Sequence, residues 1–186
     1  MPVSLPRPDC FPDNLFTADP AGAAGERVWW VLHTRPRQEK CLADELYRRG
    51  RHFFLPLFAR RSLVRGRPLV SQNPLFPGYV FLLGTDADRV GALTTQRVVR
   101  ALSVADQEKL WRDLCQIRRL LESGAPLTPQ TQLRPGVKIE ITGGVLAGLQ
   151  GTILRTASGC RFVVAVDFIQ QGAAVELDES YLARAC

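Results

Sequence analysis

The chain has 186 residues, 46% of them hydrophobic, and a formal charge of +6. That suits one or two modest globular domains. No apolar run approaches the ~20 residues needed to cross a bilayer, and prolines stand where a signal peptide would be apolar. A soluble, cytoplasmic, monomeric protein with no membrane partner is expected. The five cysteines are scattered without a C-x-x-C pair, and His33 and His52 are not in metal-ligand spacing with any of them. Neither a metal site nor a disulfide framework fits. A Cys–His nucleophile pair stays open, but buried thiols acting as small apolar residues are the leading reading.

The charge is unevenly spread. Residues 1–26 hold one Arg against four acids, residues 27–122 hold 18 Lys/Arg against 9 Asp/Glu, and residues 133–186 hold five of each. The basic excess therefore belongs to the middle of the chain, which points to a polyanion near that part.

Residues 1–26 carry five of the thirteen prolines and no periodicity, and read as a disordered tail. Val28–Thr34 reads as a buried strand. Arg37–Arg49 reads as a helix with Leu42 and Leu46 on one face and Gly50 as its stop. Phe53–Arg61 is strand-like, Arg65-Gly66-Arg67 a hairpin turn and Pro68–Ser71 the return strand. In Asn73-Pro74-Leu75-Phe76-Pro77-Gly78-Tyr79-Val80-Phe81 two prolines bar a helix or central strand, and Pro77-Gly78 fits a tight turn. The strand that follows puts Tyr79, Phe81 and Leu83 on one face. On spacing alone such aromatics usually fill a core; the other reading is a fixed apolar surface.

Asp86–Leu93 reads as a short helix and Val98–Ser103 as a strand. Ser103 to Asp106 has capping-box spacing before a longer helix with Leu110, Leu114, Ile117 and Leu121 at helical intervals. The pattern is α+β: an N-terminal, mainly antiparallel sheet with flanking helices over 27–122. Ser123–Gln132 is a linker by composition, spanning on the order of 17–19 Å. Residues 133–186 hold short strands with glycines at the joints, which suggests a small β-barrel domain.

In this order the blocks resemble the NusG family of transcription elongation factors. The resemblance rests on Trp29-Trp30-Val31-Leu32, Glu39-Lys40, Pro56 and Phe76-Pro77-Gly78-Tyr79-Val80-Phe81. It continues in Arg134-Pro135-Gly136-Val137-Lys138-Ile139, in Gly143 to Gly151, which resembles a KOW motif, and in Val175-Glu176-Leu177-Asp178. Arg65-Gly66-Arg67 with Ser71 to Pro77 looks closer to the specialised paralogue RfaH than to housekeeping NusG.

The resemblance implies an N-terminal domain that receives the clamp helices of the largest RNA polymerase subunit in an apolar cavity. Mapped by motif, the cavity would be lined by His33, Phe76, Pro77, Tyr79 and Phe81. It implies contact with upstream and non-template DNA of the transcription bubble through Arg35, Arg37, Lys40, Arg60, Arg61, Arg65, Arg67 and Arg97; each of these reads equally as a solvated charge. It implies a five-stranded KOW barrel that recruits Rho or a ribosomal protein through Leu146, Leu149 and Ile169, no cofactor, and no catalytic residues. Function then follows by binding: promoting processive elongation or antitermination, with specialised and housekeeping roles both open. Seven glycines in residues 133–186 argue against the helical refolding known in RfaH. An RNA-binding or ribosome-associated KOW protein is the alternative of another class, though neutral charge in 133–186 speaks against it. An enzyme would need a cluster of catalytic residue types, and two isolated histidines give none.

Overall fold

The computed structural model describes residues 9–17, 27–64, 66–156 and 159–177. The chain divides into two units, residues 1–107 and 108–186.

The first unit is built on an antiparallel five-stranded sheet. In chain order its strands are β1 (Cys10–Phe11), β2 (Val28–Thr34), β3 (His52–Phe54), β6 (Tyr79–Gly84) and β7 (Val98–Ser103); the spatial order is β1-β3-β6-β2-β7. A separate two-stranded ribbon joins β4 (Leu57–Val64) to β5 (Arg67–Pro74). The apolar run that reads as one strand is broken at Leu55-Pro56, where the missing proline N–H cannot continue a ladder. Leu75 N instead donates to Pro56 O at 2.8 Å, closing the ribbon's base.

One face of the sheet packs on α1 (Glu39–Arg48) and α2 (Asp86–Leu93). Leu42 and Leu46, four apart, meet Leu32, Phe53, Val80 and Leu82 in this core. Gly50, at φ +63, ends the first helix region as its position predicts. Helix α2 starts in a capping box: Thr85 Oγ1 accepts from Asp88 N, and Asp88 Oδ2 accepts from Thr85 N. On the opposite face Trp29, Val31, Phe54 and Phe81 are buried. Phe16 stacks over Trp29 at 6.1 Å and meets Phe54 edge-on at 4.9 Å. Residues 9–17, expected in a disordered tail, thus form structure, and β1 pairs Cys10 with Phe54. Composition reads prolines but not a partner strand supplied from residue 52 onward. The rest of residues 1–26 lies outside the described residues.

The second unit holds all but the first residue of α3 (Gln107–Glu122), a short 3-10 turn at Asp167–Ile169, and five strands. These are β8 (Thr128–Gln130), β9 (Val137–Glu140), β10 (Gln150–Thr156), β11 (Gly159–Val166) and β12 (Gln171–Leu177), ordered β8-β12-β11-β10-β9. The strand count matches the expectation, but the sheet is open among the described residues, with β8 and β9 at its edges. β8 lies within the stretch that reads as linker, because Thr128 to Gln130 pair with β12. Helix α3 is stitched to this sheet by polar contacts. Asp167 N donates to Asp113 Oδ2 at 3.1 Å, Gln150 N to Gln116 Oε1 at 2.6 Å, and Arg119 Nη2 to Ala147 O at 2.8 Å. Gly151 lies so close to β11 that a Cβ there would sit 2.4 Å from Val163 O.

Candidate functional site

The Phe76 to Phe81 segment is fixed by its backbone. Tyr79 N donates to Phe76 O at 3.1 Å across the Pro77-Gly78 turn, and Gly78 sits at φ +85. Gly78 N donates to Glu39 Oε1 at 2.7 Å, and Gly78 O accepts from Thr34 N at 2.8 Å. Glu39 is buried, so the first turn of α1 reaches over and clasps the turn that launches β6. A buried carboxylate on a backbone N–H is a strong, charge-assisted bond.

Strand register then sets what the turn presents. His33 pairs with Tyr79 on one side and with Arg100 on the other, so Tyr79, His33 and Arg100 form one row across the sheet. The His33 and Tyr79 rings lie 5.3 Å apart. The β2–β7 ladder slips just beyond, between His33 and Thr34, and Arg35 N donates to Arg97 O at 2.8 Å. Bulges of this kind re-aim side chains at functional edges. His33, Pro77, Arg35 and Arg100 are exposed, and Tyr79 is half-buried. The result is a small apolar shelf flanked by guanidinium groups.

A family model described as "Transcription termination factor nusG" matches residues 27–119. That is half of the chain. The chain belongs to the NusG family. No curated protein matches it. NusG-family proteins are non-enzymatic transcription elongation and termination factors that bind RNA polymerase, and that is the kind of function the match supports. No helix among the described residues is long and apolar enough to cross a membrane.

Against this NusG frame the expected site residues separate. Phe76 and Phe81 are at most 1% exposed, and Phe81 lies between the rings of Phe54 at 6.4 Å and Phe76 at 6.2 Å. They are core residues here, not open lining, while His33, Pro77 and Tyr79 remain accessible.

The arginines of the ribbon do not form one patch. β4 and β5 pair Arg61 with Val70 and Arg60 with Ser71. Successive residues of a strand face opposite ways, so Arg60 and Arg67 share one face and Arg61 lies on the other with Leu63. Arg65 lies outside the described residues. Lys40 donates from Nζ to Gln72 O, anchoring the ribbon to α1, and Arg97 donates from Nη1 to Gln38 Oε1 at 2.5 Å. Both therefore have structural partners, whereas Arg35 and Arg37 are exposed. Arg100 escaped the sequence reading, because only the β2–β7 register brings it beside His33.

In the second unit Leu146, Leu149 and Ile169 are buried, at 4%, 1% and 9% exposure. They pack the interior, and their chain neighbours Val145 and Phe168 are the exposed apolar residues. Burial pushes the Cys115 thiol up to about 11, which removes it as a nucleophile at neutral pH. No group of three metal-ligating side chains occurs among the described residues.

Proposed function

We propose that this chain is a specialised NusG paralogue that docks on the clamp helices of the largest RNA polymerase subunit and keeps a few operons in processive, antiterminated elongation. The observation that carries the reading is the Tyr79–His33–Arg100 row, held rigid by the Glu39-clasped turn. Rigid aromatic anchors beside an arginine suit a helix tip, since such residues dominate helix-in-groove and hot-spot recognition. Arg35 and Arg37 beside that shelf, with Arg60 and Arg67 on the ribbon, are the groups we assign to the upstream and non-template DNA. Their contribution is salt-dependent and largely independent of sequence. Binding that prefers the elongating over the paused state shifts the equilibrium by its differential affinity.

The second unit is read as the KOW-type module that recruits Rho or a ribosomal protein, with Val145 and Phe168 as the apolar residues available for contact. Specialisation is argued from the Arg65-Gly66-Arg67 and Ser71 to Pro77 segments. The test is a genome-wide occupancy map of this protein beside one of RNA polymerase. Occupancy confined to a few operons is the expected result. Occupancy following polymerase on most genes would make it a housekeeping NusG, and none overlapping polymerase would overturn the reading.

A further inference from the structure

Residues 57–74, the whole of the β4–β5 ribbon, hold four arginines and no Asp or Glu. The ribbon pairs with neither five-stranded sheet. Its base is tied down, since Leu57 packs against the core of the first unit and Lys40 Nζ donates to Gln72 O. Further out it is open on both faces: from Arg60 to Val70 every described residue but the half-buried Ser62 is exposed. Register sorts these residues. Leu63 stands opposite Pro68, and Arg61 opposite Val70. Directly opposed residues share a face, so Leu63, Pro68, Val70 and Arg61 make one contiguous patch near the tip. Leu63 is 76% and Val70 60% exposed. Aliphatic side chains held in water on a two-stranded arm serve no core, and a contiguous apolar patch of this kind marks a contact surface.

We propose that the ribbon is a duplex-DNA arm, which enters the minor groove with the Leu63–Pro68 pair wedged at a base step and Arg61 beside it. The proposal rests on the assignment of Arg60 and Arg67 to DNA made above and adds what the apolar face does there. Charge names the occupant: four guanidinium groups without one carboxylate among them suit a polyanion, whereas a second copy would bring like charge to like. The patch names the mode, because Leu and Pro are among the side chains that minor-groove proteins insert between base pairs, with arginine reading the narrow groove. Arg60 and Arg67, at the arm's back, reach the phosphate walls on their long stems. Single-stranded nucleic acid is held by stacking on aromatic rings, and no aromatic residue occurs between Ala59 and Pro74.

The test uses the full chain and a short, end-labelled DNA duplex with 2-aminopurine at a central TA step, a step that kinks readily. Anisotropy of the label reads affinity, and 2-aminopurine fluorescence rises when that base unstacks. The chain should bind and the fluorescence should rise. Leu63→Ser/Pro68→Ser should abolish the rise and weaken binding at least about fivefold, as expected for the loss of two apolar contacts. Arg60→Gln/Arg67→Gln should weaken binding and flatten its salt dependence. Val90→Ser, at an exposed apolar residue of α2, should change neither signal. All these side chains are exposed, so each variant should melt as the parent does. Binding without a fluorescence rise, or a rise that survives Leu63→Ser/Pro68→Ser, would overturn the wedge and leave the DNA assignment standing. No duplex binding, or binding indifferent to Arg60→Gln/Arg67→Gln, would overturn both. Self-association of the free chain that Leu63→Ser/Pro68→Ser abolishes would overturn the proposal by making the patch an interface between copies.

Discussion

Single residues decide whether the candidate docking shelf exists at all. Gly78 at φ +85 occupies backbone space that a side chain enters at about 1–2 kcal/mol. Glu39 closes the same turn from α1. Glu39→Ala leaves the Gly78 N–H without its acceptor and should destabilise the chain by about 1–3 kcal/mol in urea titration, whereas Glu39→Gln keeps an oxygen there and should lose less. His52 provides a pH readout of the same unit. Burial first, then the Arg27 guanidinium, lowers its pKa from 6.5, with Asp88 opposing. Arg27 Nη1 lies 3.2 Å from His52 Nδ1, a pair that suits the neutral ring. The folded chain therefore holds this proton less tightly than the unfolded one. The associated stability is complete above 6.5 and declines as pH falls from there through the lowered value. Melting temperatures measured from about pH 7.5 to 5 should drop, and His52→Gln should flatten that part of the curve.

At the scale of elements, local signals served best where periodicity and caps agree. Helices α1 and α2 and strand β7 lie where the Leu42/Leu46 spacing and the Asp86–Leu93 and Val98–Ser103 segments place them, because these elements bury one face each and say so in sequence. The ribbon's turn at Gly66 was legible too, but the pleat separates residues that lie close in sequence: alternation splits Arg61 from Arg60 and Arg67. Arg100 and β1 were illegible for a different reason, since each gains its meaning from a pairing with a distant strand. The same holds for Leu146, Leu149 and Ile169, whose aliphatic character fits a loop contact or a core equally until the fold decides. Two predictions belong here. Gly151→Ala pushes a Cβ against Val163 O and the Phe162 ring and should destabilise the second unit by about 1–3 kcal/mol in thermal denaturation. Asp113 is buried, its pKa raised by that burial against the lowering pull of Asp167 N and Lys109. Asp113→Asn keeps an acceptor for Asp167 N and should change stability by under about 1 kcal/mol, while Asp113→Ala strands that N–H and should lose about 1–2 kcal/mol.

For the whole molecule, the sequence concentrates its basic excess in residues 27–122 and leaves 133–186 neutral, and the structure divides the chain at residues 107 and 108. Linker composition placed that division near residue 123, because helix periodicity cannot say which sheet a helix will join; α3 carries its polar stitches to β10 and the Asp167 turn. Family membership follows from residues 27–119, while the site within it rests on the row Tyr79–His33–Arg100. The most direct test of that row is the affinity of the full chain for RNA polymerase elongation complexes, compared with a Tyr79→Ala/His33→Ala variant whose melting is checked in parallel. The wild-type chain should bind, and a folded variant should bind at least about tenfold more weakly, as expected for loss of an aromatic anchor. Equal affinity in the folded variant, or no binding by the wild-type chain, would contradict the account.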